Sequence, residues 1–305
     1  MVLNISAPAV ACTWVAWLAT SYRLYVTWPE YLAMALSVWI IYTLDGLFDA
    51  RNASGHAGTA RRDFHAAHSG WFWLAVFLAF GLLLGNALSS IGSGLLLSGM
   101  ILAGLVAVYL THAQTLRHSA RTWLPKEIFG GVVFAMGVGL VLMEAHGRGA
   151  VGPISTELAG QSFGQSFGSG LLWLAASVVF LIRSIFSEPA VPLLALLFTG
   201  NCLLTARHEA DQLVDPASAR RLAPALLDLA PVLTAALATS STVNAIITRE
   251  MEMRLVHAGI ALSAGLMLGV HLLAKRRKVS GAMAAFLLDV ALLSPLILLP
   301  WNRPV

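Results

Sequence analysis

Nine apolar runs of roughly 20 residues follow one another along the chain, near 8–26, 30–48, 70–88, 94–112, 127–145, 189–207, 223–243, 254–274 and 281–299. That is the length a helix needs to cross the hydrocarbon core of a bilayer. In lipid each spanning segment must satisfy its own backbone polar groups, which leaves helices and closed barrels. Barrel strands alternate apolar and polar residues, and these runs do not, so they are expected to be helices. Charged residues make up 11% of the chain, against roughly 25% in soluble domains. The expectation is an all-α, polytopic membrane helix bundle of about nine transmembrane helices, forming one domain over residues 1–305. No basic stretch precedes an A-x-A-like cleavage site, so no removable signal peptide is expected. Cys12 and Cys202 lie far apart in apolar segments and are expected as buried thiols, not as a disulfide or a metal site.

Basic residues orient the helices. Arg51, Arg61 and Arg62 occupy the first long polar connection, Arg117, Arg121 and Lys126 the second, and Arg207, Arg220 and Arg221 border the third; Lys275, Arg276, Arg277 and Lys278 form a fourth cluster. These are 13 of the 19 Lys and Arg residues. In a nine-helix arrangement all of them fall on one side, which the positive-inside rule makes cytoplasmic. The N-terminus is then cytoplasmic too. An integral multi-pass protein of a bacterial inner membrane is expected, in contact with lipid. Nothing in the basic residues resembles a nucleic-acid-binding stripe. The basic connections on either side of residues 127–207 both require the cytoplasm, which means an even number of crossings between them. Residues 146–188 are therefore read as an outer-side insertion, with 170–186 a helix that does not cross; Pro189 and Pro192 support a break before the next helix, and a tenth crossing there is the alternative. Most tryptophans lie near predicted helix ends and are expected in an interfacial belt. Gly130, Gly131, Gly137 and Gly139 predict close helix packing.

The polar residues of interest sit where apolar runs end. Asp45 and Asp49 close the second run, four residues apart and so on one helix face. Two carboxylates on one face repel each other, and Mg²⁺ would relieve this, because it takes one or two carboxylates together with substrate phosphate oxygens. The plainer reading is two solvated acids just beyond a helix end. The sixth run ends with Asn201, Thr205 and Glu209 at the same four-residue step, followed by Asp211 and Asp215. Under the nine-helix topology both oxygen-rich helix ends lie at one depth on the cytoplasmic side. That placement suits a Mg²⁺-bridged diphosphate.

With these motifs the chain resembles the UbiA-type intramembrane prenyltransferase superfamily. Members have nine membrane helices, an NDxxDxxxD motif closing helix 2 and a DxxxD-like motif closing helix 6. Asp45 and Asp49 match the last two aspartates of the first motif, whose leading Asn-Asp is replaced by Ile41-Tyr42. Asn201, Thr205 and Glu209 stand at the second, and Leu124-Pro125-Lys126-Glu127 looks like the start of helix 5. The resemblance implies a divergent, UbiA-like member that moves an isoprenoid chain from a prenyl diphosphate to an unknown acceptor. It implies Mg²⁺ as cofactor and a site facing the cytoplasm. Asp45, Asp49, Asn201, Glu209 and Asp211 become the expected metal ligands, with Asp45, Asp49, Glu209 and Lys126 the expected catalytic groups.

Ionising an allylic diphosphate builds charge on the leaving oxygen, so cationic clamps are required beside the metal. Arg51, Arg61, Arg62, Lys126 and Arg207 are the candidates, with Asn201 as a further diphosphate contact. Residues 61–68 read as a short amphipathic helix whose His65 and His68 could close over the diphosphate or simply lie at the surface. His208 neighbours the second motif as a base or donor. Asp289 lies alone in the last apolar run, and an acid there is a functional candidate by default, or else a structural hydrogen-bond partner to a neighbouring helix. Two other outcomes use the same features: a UbiA-type terpene cyclase that ionises without an acceptor, and a non-catalytic isoprenoid- or lipid-binding protein or transporter. A transporter should show inverted repeats, and no convincing repeat is present.

Overall fold

The apolar runs form helices whose ends follow the polar punctuation. The computed structural model describes residues 4–51, 60–115, 126–149, 182–183, 185–186, 188–210 and 224–299. Among these residues there is no strand. The helices are α1 (Ser6–Ser21), α2 (Trp28–Arg51), α3 (Ala60–Ala67), α4 (Ser69–Ser90), α5 (Ser93–Thr115), α6 (Lys126–Gly149), α7 (Ala190–Ala210), α8 (Pro224–Ile247), α9 (Met251–Lys275), α10 (Gly281–Ala291) and α11 (Pro295–Leu298). Seven stretches are long and apolar enough to cross a membrane: Trp28–Phe48, Ser69–Ser90, Glu127–Arg148, Ala190–His208, Leu227–Ile247, Met251–Lys275 and Gly281–Leu298. Gly94–Val108 is a shorter apolar stretch in α5. The protein is an integral, multi-pass, helical membrane protein.

Three local features set helix lengths. α1 ends at Ser21, short of its apolar run, because Arg23 adopts a left-handed φ of 55° and the chain turns through a Schellman closure. Its bonds are Leu24 N–H to Ala19 O (2.8 Å) and Arg23 N–H to Thr20 O (3.3 Å). The basic cluster after α9 closes the same way, with Arg277 left-handed and Lys278 N–H donating to Leu273 O. The last apolar run is two helices: Pro295 has no N–H to continue α10, and Leu292, Leu293 and Ser294 tighten into i→i−3 bonds before it. The expected 146–188 insertion lies almost wholly outside the described residues. At its borders α6 continues to Gly149, and Glu188-Pro189 forms the turn that precedes α7.

The core gathers around α1 and the α6–α7 pair. Trp14 and Trp17 are expected at an interface, but both are buried on α1, among Leu18, Phe198 and Ile260. Helix α1 contacts α2, α6, α9, α10 and α11, so there is no lipid-facing side for its tryptophans. Trp28, Trp71 and Trp73 are exposed, as a belt requires. The α6–α7 pair is close because glycines remove the side chains between them. A Cβ at Gly131 would strike the backbone of Thr199, and one at Gly139 would lie 2.8 Å from Val191 and 2.9 Å from Ile185. Gly130 faces open space and has no such role.

Contacts at helix ends divide the bundle into two ends. At one, Glu30 of α2 meets Arg148 of α6 and Asn86 of α4 donates to Pro29 O, while Tyr22 lies by Met253 of α9. At the other, Asn4 meets the last turns of α2 and the buried His65 of α3, Arg207 of α7 meets the start of α8, and His208 meets His271 of α9.

Candidate functional site

A pocket opens toward the second of these ends, lined by Ala7 and Val10 of α1, Tyr42 of α2, Gly131 and Phe134 of α6, Asn201 and Cys202 of α7, and Asp289 of α10, with Phe198 and Leu292. About 340 Å³ of empty space lies within it, part of it open to solvent. One wall is aromatic. Phe134 packs edge-on against Phe198 at 4.5 Å and against Tyr42 at 6.4 Å, and Phe198 continues to Trp14 at 6.0 Å.

The polar side centres on Asp289. Its Oδ2 accepts from Ser6 Oγ at 2.8 Å, and its Oδ1 accepts from Asn201 Nδ2 at 3.3 Å. Three helices remote in sequence thus meet at one acid inside an apolar helix, which is why α10 tolerates it. The donor to Asp289 must be the Asn201 amide nitrogen, because a carboxylate only accepts. Asn201 Oδ1 is therefore turned away from Asp289, and it is buried with no hydrogen-bond partner. One turn nearer the helix end, Thr205 Oγ1 is also buried and unpartnered. On α2, Thr43 Oγ1 is in the same condition.

The other sequence candidates fall into three groups. Asp45 is half-buried on α2, one turn beyond Tyr42 and so on the face that carries Tyr42 to the pocket. Asp49, Lys126, Glu209, Arg61 and Arg62 lie in described helices, but their side chains are outside the described residues, as is all of Asp211. The rest are engaged elsewhere or exposed. Arg51 ends α2 in an exposed position. Arg207 turns to α8, donating to Leu227 O at 2.9 Å and to Asp228 at 2.8 Å. The reason is Pro231: it has no N–H for the carbonyl four residues back, and Arg207 supplies the missing donor. His65 does not sit free over an anion. It is fully buried, accepts from Asn4 Nδ2 at 3.3 Å and stacks on Phe72 at 4.4 Å, while Gly46 leaves room for its ring. His68 is exposed and stacks on Phe64. His208 is buried with its Nε2 3.4 Å from Nδ1 of the equally buried His271.

Among the described residues no three His, Cys, Asp or Glu side chains come together as a metal cluster. The described oxygen groups near these two helix ends are the half-buried Asp45 carboxylate on α2 and the buried Thr205 hydroxyl on α7. That chemistry fits a hard cation such as Mg²⁺, which takes oxygen ligands and keeps several waters.

Sequence reading missed Ser6, Tyr42 and the aromatic pair Phe134 and Phe198. Tyr42 stands in the motif itself, where its phenol replaces an expected acid, and that substitution was the available signal. Ser6 carried none, since its partner is 283 residues away. No family model matches the chain, and no curated protein and no solved structure matches it.

Proposed function

We propose that the protein is an intramembrane prenyltransferase of UbiA type, with nine crossings and its site toward the cytoplasm, moving an isoprenoid chain from a prenyl diphosphate to a membrane-soluble acceptor. The observation that carries this reading is that Tyr42 of α2 and Asn201 of α7 line one pocket. The two helices with the acid-bearing ends are thereby brought to a common space, as the sequence resemblance requires. The crossing count is supported by the antiparallel contacts at the helix ends. They put the start of α1 beside the end of α2, and they leave the short α1 and α5 as the eighth and ninth members of the set.

In this reading Asp45, with Asp49 and Glu209 on the same two helices, holds Mg²⁺ at the shallow part of the pocket, with Thr205 as a neutral oxygen beside them. Bound there, the ion would offset the charge that develops on the diphosphate as it leaves. The apolar and aromatic wall takes the isoprenoid chain and keeps water from the allylic carbon. The faces of Tyr42, Phe134 and Phe198 present the negative side of their quadrupoles to positive charge building there. Arg207, held by α8, is replaced as clamp by Arg51, Lys126 or the α3 arginines.

The test is pyrophosphate release from farnesyl and longer prenyl diphosphates with Mg²⁺, with and without a membrane extract supplying acceptors. Extract-dependent release, lost by about 100-fold or more in Asp45→Asn, is the expected result. Release without any acceptor would make the protein a cyclase. Silence throughout, with the diphosphate bound, would leave a binding protein.

A further inference from the structure

Asn201 presents an acceptor that no described residue uses. The residue is 8% exposed, its Nδ2 is committed to Asp289, and its Oδ1 is buried without a partner while the side chain lines the pocket. An unmade hydrogen bond at a buried carbonyl costs about 1–3 kcal/mol. An occupant that brings a donor to this point recovers that energy, and one that brings only an acceptor meets two lone-pair-bearing groups, Asn201 Oδ1 and the Asp289 carboxylate. The surroundings fix the rest of the occupant. Ala7, Val10, Phe134, Phe198 and Leu292 are apolar, so the donor must stand at the end of an apolar body. Asp289 stands beside this acceptor, itself accepting from Ser6 and Asn201.

We propose that the deep part of the pocket, at Asn201 and Asp289, is a docking point for the hydroxyl or amine of an apolar ligand. The proposal rests on the prenyl-transfer reading only in identifying that ligand with the acceptor. The reacting heteroatom of the acceptor is then an O–H or N–H, seated one turn deeper on α7 than the Thr205 level assigned to the metal and diphosphate.

The experiment is equilibrium binding to the purified full chain in lipid nanodiscs, using farnesol, farnesylamine and farnesyl methyl ether as probes. The three share one apolar body, and the ether lacks only the donor. Farnesol and farnesylamine are expected to bind about tenfold tighter than the ether, the effect of one hydrogen bond to a buried acceptor. Asn201→Leu should remove that preference. Equal binding of all three to the wild-type protein, as when a water fills the position, overturns the proposal, and this comparison needs no variant to fold. A preference that survives Asn201→Leu in a folded variant also overturns it. Farnesyl diphosphate with Mg²⁺, measured in the same preparation, separates the two claims. Diphosphate binding without donor preference removes the docking point and leaves prenyl transfer standing. Donor preference without diphosphate binding does the reverse.

Discussion

The two ends of the bundle each hold an acid among the helices, one buried and one half-buried, and they treat it differently. At one end Glu30 is 2% exposed and engaged by several donors. Arg148 donates to both of its oxygens and to Tyr25 O, and Thr27 N–H adds a bond of 2.7 Å. At the other end the half-buried Asp289 accepts from Ser6 and Asn201, while Asn201 Oδ1 and, one turn on, Thr205 Oγ1 are buried without a described partner. A buried carboxylate held by an exposed arginine and a backbone N–H closes one end as structure. Acceptors without a described partner lie beside the pocket at the other.

The largest expected effect breaks the closed end. Arg148→Ala leaves the buried Glu30 without its charged donor and should cost about 2–3 kcal/mol in denaturant unfolding. Adding Glu30→Gln should recover most of it. A loss under about 1 kcal/mol would mean the pair behaves as a solvated surface bridge and the contrast between the ends is wrong. Next comes the pocket wall. Gly131→Ala drives a methyl into the Thr199 backbone and should destabilise by about 1–3 kcal/mol. Gly130→Ala meets nothing and should be neutral or slightly stabilising. Equal effects from the two would show that α6 and α7 are not in backbone contact.

The end that carries the pocket should answer in the opposite sense. Thr43→Val and Thr205→Val remove buried hydroxyls that have no partner, so each should be neutral or stabilising by up to about 1 kcal/mol. Thr205→Val should nevertheless weaken Mg²⁺-dependent ligand binding. The smallest effect concerns Tyr22, between α1 and α2. Burial first, then its hydrogen bond to Glu188, holds its phenol protonated well above the usual range. An unfolded tyrosine releases its proton near about 10. Tyr22 thus contributes stability that is complete below that pH and falls as the pH rises further. The difference in unfolding free energy between wild type and Tyr22→Phe should be flat to about pH 10 and shrink above it.

How much of this was legible in the sequence follows from the range of each interaction. The crossing helices are local, and their apolar runs located them. Asp289 stood out because an acid inside an apolar helix must have a reason. Its partners did not, since Ser6 and Asn201 reach it only through tertiary packing. The glycine signal was legible as close packing, but periodicity could not say that Gly131 and Gly139 face α7 while Gly130 does not. Arg207 looked like a phosphate clamp beside an acidic motif; the competing demand came from Pro231, on another helix. Trp14 and Trp17 misled because a tryptophan near a helix end marks an interface only when that helix has a lipid-facing side. Glu30 and Arg148 each read as an ordinary helix-end charge, and only the fold pairs them.

The central claim is that α2 and α7 carry their polar ends to one Mg²⁺–diphosphate site. Its most direct test is calorimetric binding of farnesyl diphosphate to the purified protein, with Mg²⁺ and with EDTA, for wild type and Asp45→Asn. The account predicts binding at least about tenfold tighter with Mg²⁺ than with EDTA, and no such gain in Asp45→Asn. Binding indifferent to Mg²⁺, or a full Mg²⁺ effect in the variant, would contradict it.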